Sequence, residues 1–298
     1  MATTYTYIAV NKRRSTFLVV GFIVFVLLLG WVLSHLADSG LVFLVVAALI
    51  ATCMTLVGYY RGDRIALWTS GAEPMAKEQS PYVYRLVENL CITAGLPMPA
   101  IYLIPDDAPN AFATGRDPAH ASLALTTGIV RMLENEELEG VIAHELSHIG
   151  NYDIRYMTLV SVLVGIVAIV SHIFLRSMWF GGGRRQSNDS GGNIFVIVGL
   201  VLLILSPLIA QLIRFAVSRK REFLADASGA LLTRYPQGLA SALEKIGTYG
   251  KPLAHVSNAT APLFIANPLG SRGLSGLFST HPPIADRVRA LKEMAAER

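Results

Sequence analysis

The amino-acid sequence predicts an α-helical membrane protein: four transmembrane helices with an α+β domain on one side of the bilayer. Three observations predict it. The 298 residues are 53% apolar and only 15% charged, against about 25% charged in a soluble globule. Four stretches, Ser15–Ala37, Ser39–Tyr60, Tyr156–Leu175 and Ser190–Ile213, hold no Asp, Glu, Lys or Arg, and each reaches the roughly 20 residues a spanning helix needs. The blocks left over, 61–155 and 214–298, are each small for a domain, so together they build one. The net charge of +4 is small and no basic stripe interleaves with aromatics, which excludes nucleic acid as an expected partner. Cys53 and Cys91 form no C-x-x-C pair, so neither a disulfide scaffold nor a thiolate metal site is expected.

Residues 1–60 form the first transmembrane hairpin. Asn11-Lys12-Arg13-Arg14 opens like a signal peptide, but the apolar run behind it is too long and no small-residue cleavage site follows, so it reads as a retained span. The turn between the first two spans carries Asp38, while Lys12, Arg13, Arg14, Arg61 and Arg64 flank the pair. The positive-inside rule then puts the N-terminus and residues 61–155 in the cytoplasm. In that block Gln79–Ala94 is an amphipathic helix with Tyr82, Leu86, Leu90 and Cys91 on one face. Pro97 and Pro99 break the chain before a strand at Ala100–Ile104. Asn110–Thr114 and Ser122–Thr126 read as a hairpin around Gly115, Asp117 and Pro118. Glu134–Ile149 is helical, with acidic residues in its first turn, where the helix dipole favours them. Residues 156–213 form a second hairpin around a Gly-rich loop. Arg176, Arg184 and Arg185 in that loop argue against an outer location, whereas the length of both segments favours crossing. Residues 214–298 complete the domain, with helices at Ser218–Leu232 and Gly238–Ile246.

The segment that carries chemistry is His144-Glu145-Leu146-Ser147-His148. Histidines at i and i+4 share one helical face, so both imidazoles can converge on a single tetrahedral ion, with Glu145 beside them as a base. Zinc acidifies water bound to it to a pKa near 7. Two solvated histidines on a polar face are the plainer interpretation. The helix runs almost directly into a membrane segment, where idle polar groups are disfavoured. A catalytic site needs a third protein ligand. Asp153, His172, Glu222, Asp226, His255 and His281 are the downstream choices. Asp153 is too close along the chain to close a tetrahedron easily, and His172 lies roughly 36 Å along a continuous helix. A helical hairpin returns the chain to the side it left, which lands on Glu222. Asp226, one turn further, is placed to accept a hydrogen bond from the outer nitrogen of a ligating histidine; an intrahelical salt bridge is its plainer role.

His144-Glu145-Leu146-Ser147-His148, Glu222-Phe223-Leu224-Ala225-Asp226 and His281-Pro282-Pro283 with Arg287, in a layout of two spans, a catalytic helix and two more spans, resemble the HtpX-type membrane zinc peptidases. These are relatives of the prenyl-protein (CAAX) endopeptidases, which have more spans. The resemblance implies a gluzincin-like zinc peptidase domain, with one Zn2+ per chain on His144, His148 and Glu222 and with Glu145 as general base. It implies an active site facing the cytoplasm at a bacterial inner membrane. The implied task is stress-linked quality control, cleaving misfolded or damaged membrane proteins and unfolded polypeptides alongside other proteases. It also implies that Asn110, Ala111 and Phe112 lie on an edge strand that binds substrate as an added strand; on the residues alone this is equally an ordinary sheet edge. It suggests that His281 stabilises the oxyanion, although the prolines after it also suit a first helical turn. Arg287 either neutralises a carboxylate near the zinc or caps a surface.

Two other function classes stay open on the residues. A non-catalytic membrane adaptor or holdase would keep zinc structurally and would not need Glu145. A transporter would want ionisable groups inside the spans, where only His35 and His172 stand, both near segment ends.

Overall fold

The computed structural model describes residues 4–36, 40–165, 219–254, 256, 259–269 and 282–296. The expected span at 190–213, most of that at 156–175, and the loop between them lie outside the described residues.

Two long helices open the chain, α1 (Thr4–Leu36) and α2 (Val42–Thr69). Within them Tyr7–Val32 and Val42–Thr69 are long and apolar enough to cross a membrane, and only 11% and 17% of their most apolar windows is buried in the protein. A soluble core helix would be mostly covered. Here Phe17, Leu28, Leu41 and Leu49 stand exposed, as lipid-facing side chains do. Both helices extend past the apolar runs. α1 starts before Lys12, and α2 continues through Arg61, Asp63 and Arg64, so that Ala66 and Leu67 enter a buried cluster with the sheet.

The sheet has the order β1 (Glu73–Pro74), β2 (Ala100–Ile104), β4 (Ala121–Thr126), β3 (Ala111–Gly115). β2 runs parallel to β4; β1 and β3 run antiparallel to their neighbours. Side chains alternate between faces with period two. Ile101, Ala111, Ala113, Leu123 and Leu125 fall into one cluster with α3 (Pro81–Ala94) and α5 (Asn135–Gly150). Ile104, Phe112 and Ala124 fall into the other, with Ala66, Leu67, Met157 and Phe264. One face of the sheet therefore carries the helical domain, and the other meets the end of α2. A short α4 (Thr127–Met132) leads to α5.

α5 begins at a reciprocal cap: Glu134 accepts from the N3 backbone, and the Glu137 carboxylate accepts from Glu134 N–H at 2.8 Å. After Asn151 the chain turns through Tyr152 at φ +60°, a left-handed conformation that costs a non-glycine residue roughly 1 kcal/mol or more. It resumes as α6 (153–165). The rest of the domain is α7 (Arg219–Thr233), α8 (Pro236–Tyr249) and α9 (Ile284–Ala296). Glycine sets the spacing where α7 crosses α5: a Cβ on Gly229 would lie 2.9 Å from the backbone nitrogen of His144. Only a residue without a side chain lets the two helices approach so closely at that turn.

Candidate metal centre

α5 turns two imidazoles toward α7. Residues four apart share a helical face, and both rings are buried, His144 completely. Their Nε2 atoms stand 3.2 Å apart. α7 brings Glu222, whose carboxylate oxygens lie 3.9 Å from His144 Nε2 and 3.8 Å from His148 Nε2. One ligand atom from each of the three falls within 4.8 Å of the others.

The outer nitrogens define the tautomers. His144 Nδ1 is 2.9 Å from Asp226 Oδ1, and His148 Nδ1 is 3.1 Å from Asp153 Oδ2. An ionised carboxylate only accepts, so each Nδ1 donates and each Nε2 turns a lone pair inward. Two lone pairs and a carboxylate facing one another is an arrangement a cation relieves. A tetrahedral zinc with bonds of about 2.0–2.1 Å would hold two nitrogens about 3.3 Å apart, which the imidazole spacing fits. Imidazole and carboxylate donors suit a divalent cation of this class. Without a cation a proton takes that place. Burial pulls His148 down, but its hydrogen bond to Asp153 and the charges of Glu222 and Glu145 outweigh this and leave it raised to about 9.

Arg287, on α9, is fully buried behind the three donors. Its Nε and Nη2 donate to Asp226 at 2.8 and 2.6 Å, and its Nη1 donates to the Ile265 carbonyl at 2.8 Å and lies 3.8 Å from Glu222. Burial alone would raise Asp226. Arg287 and His144 instead hold it well below the usual carboxylate range. Glu145 is also buried. Burial pushes its carboxyl above the usual range, opposed by His144 and His148, reinforced by Glu222, and opposed again by the backbone N–H of Ala113 on β3, which donates to it.

The structure thus gathers His144, Glu145, His148, Glu222, Asp226 and Arg287 in one buried cluster. Ala111 and Phe112 lie on β3, the outer strand of the sheet, with Asn110 just before it, and the edge is covered at these positions. Asn110 bonds β4 through Thr126 on both its N–H and its carbonyl, and its side chain donates to the Ala266 carbonyl at 3.0 Å. Phe112 pairs with Ala124 of β4 and bridges to Phe264. Ala111 turns its carbonyl outward, where the Ile265 N–H takes it at 2.9 Å. The segment 261–266 therefore lies along this edge, because Arg287 and Asn110 anchor its carbonyls. His281 lies outside the described residues. Two site residues escape a reading of the sequence. Asp153 looks too close in sequence to be a ligand and acts on the outer nitrogen instead. Asn11 donates to Asp153 Oδ1 at 2.7 Å from 142 positions away, a separation that no local pattern spans.

Comparison with known proteins adds lineage to this geometry. Residues 77–295 match the family model described as Peptidase family M48. A protein named Protease HtpX homolog from Thermoanaerobacter pseudethanolicus is 44% identical over 295 residues, covering 98% of each chain. One of the same name from Tropheryma whipplei is 46% identical over 292 residues, covering 97% of this chain and 98% of its own. The crystal structure of S. mikatae Ste24p aligns with a TM-score of 0.49 at 20% identity, covering 97% of this chain and 66% of that one.

Proposed function

The chain belongs to peptidase family M48 and to its HtpX-type members, and is a membrane metalloprotease; from that premise we propose that it is a zinc endopeptidase acting on misfolded or damaged membrane proteins. In this reading His144, His148 and Glu222 hold one zinc ion in a gluzincin-like domain. Four spans carry that domain on the cytoplasmic face of a bacterial inner membrane. The observation that carries the reading is the buried cluster of three inward-facing donors, each imidazole backed by a carboxylate, with Glu145 on the same helix turn.

A bound divalent cation supplies Lewis acidity, acidifying water and polarising a peptide carbonyl. The protein's own residues do the rest. Glu145 takes a proton from the attacking water and returns it to the leaving amine; the Ala113 N–H holds its carboxylate in place. Asp226 and Asp153 fix the tautomers of His144 and His148 and raise their basicity. Arg287 balances Glu222 and Asp226, so that the carboxylates tolerate burial together. We assign His281 to the developing oxyanion. A substrate added to β3 takes the place of Ile265 on the Ala111 carbonyl, so binding begins when the 264–265 contact opens. Unfolded polypeptides, which present free backbone, suit that exchange.

The test is Glu145→Gln in the full-length protein, purified with its metal. It should keep metal stoichiometry and lose cleavage of an unfolded model substrate by at least about 100-fold. Cleavage at the unmodified rate would reject Glu145 as the base; absence of cleavage by the unmodified, metal-loaded protein would favour a non-catalytic adaptor. Glu222→Ala should lower the zinc content measured by elemental analysis; full stoichiometry would place the third ligand elsewhere.

A further inference from the structure

We infer that the first membrane helix is part of the metal centre: Asn11 is a positioning residue that acts through Asp153 to orient His148. The inference rests on the proposed ligand set, and its observations are separate from it.

Asp153 is 1% exposed and uses both oxygens inside the protein. Oδ2 faces His148 Nδ1 at 3.1 Å. Oδ1 accepts from Asn11 Nδ2 at 2.7 Å and has the Arg221 Nε at 3.6 Å. Asn11 is 3% exposed, and the same amide nitrogen also donates to the Asn151 carbonyl at 3.0 Å. Its neighbour Lys12 sets its ammonium 4.2 Å above the Tyr152 ring. One turn of α1 therefore grips residues 151, 152 and 153 in succession. Those are the residues through which the chain leaves α5, turning at the left-handed Tyr152. The turn is what brings Asp153 back beneath His148 only five positions after it.

A carboxylate aimed at an imidazole has rotational freedom unless its second oxygen is held. Arg221 is too distant at 3.6 Å to hold it alone. Among the described residues its Nη1 and Nη2 have no hydrogen-bond partner, so the guanidinium balances charge without fixing direction. Asn11 supplies the short, directional bond. A neutral amide also adds no second cation beside Arg221, so it competes less with His148 for the negative charge of Asp153 than a lysine or arginine in its place would. A buried amide is costly unless it is hydrogen-bonded, and here both partners of the Asn11 amide, Asn151 and Asp153, lie in the catalytic domain.

The experiment measures metal affinity and ligand geometry in the full chain in detergent. Zinc affinity is read by competition with a chromophoric chelator, and geometry by the visible d–d spectrum of the Co2+-substituted protein. Asn11→Leu removes the donor at nearly constant volume. It should weaken zinc binding about tenfold and alter the cobalt spectrum, within the range for groups behind a ligand. Asp153→Asn should weaken it by about 10- to 100-fold. The double variant should be no weaker than Asp153→Asn alone, because Asn11 acts only through Asp153. If Asn11→Leu does not fold, Asn11→Ser, too short to reach Asp153, takes its place. Affinity and spectrum within twofold of the unmodified protein, or losses that multiply in the double variant, would overturn the inference. Failure of the unmodified chain to take up zinc or cobalt would instead overturn the ligand set itself.

Discussion

At the scale of single residues, the cluster sets a competition between proton and cation. His148 is raised to about 9, burial lowering it and Asp153, Glu222 and Glu145 together raising it further. A raised imidazole pKa means that the metal-free site is protonated at neutral pH. Metal must then displace one proton. Apparent zinc affinity should therefore fall about tenfold per pH unit below roughly 9, and level off above it. Chelator competition across that range checks this; an affinity flat between pH 6 and 8 would show that no proton is displaced. The residues that make this chemistry were partly legible. His144, Glu145 and His148 announce themselves because one helical face must carry both imidazoles. Glu222 and Asp226 follow from where a helical hairpin must return. Asp153 was hidden by the assumption that a nearby carboxylate must be a ligand or nothing, and Asn11 by its distance along the chain.

At the scale of elements, the site is a crossing of α5 and α7 and depends on how closely they approach. Gly229 allows it: a Cβ there would meet the His144 backbone nitrogen at 2.9 Å and the Ala143 carbonyl carbon at 3.2 Å. Gly229→Val should part the helices, lowering stability by about 1–3 kcal/mol and weakening metal binding, because Glu222 and Asp226 move with α7. Gly21→Val, where nothing lies within 4 Å, should do neither; thermal unfolding and metal titration of both variants check this. The strands show which patterns sequence conveys well. Ala100–Ile104 falls where the prolines ahead of it put it, and the β3–β4 hairpin falls within a residue of its expected place. The helices α1 and α2 outrun expectation, because an apolar run marks where lipid begins and ends and not where backbone hydrogen bonding does. β1 spans two residues, too few for any period to register. The segment over Ala111 was unforeseen because only tertiary partners, Arg287 and Asn110, hold it.

At the scale of the whole molecule, α1 carries both an apolar run long enough to cross a bilayer and an amide that reaches the candidate metal centre. Asn11 sits one helical turn, about 6 Å, before Ser15, where the uncharged run of α1 begins. Its amide is two hydrogen bonds from the outer ring nitrogen of His148. Under the proposed function, this short connection sets the metal centre at a fixed distance from the start of the apolar run, as a ruler would. Scissile bonds in membrane substrates should cluster within a few residues of the ends of their own spanning segments, and mass-spectrometric mapping of cut sites would read the gauge directly. Cuts scattered evenly through large soluble loops would mean that no such yardstick operates.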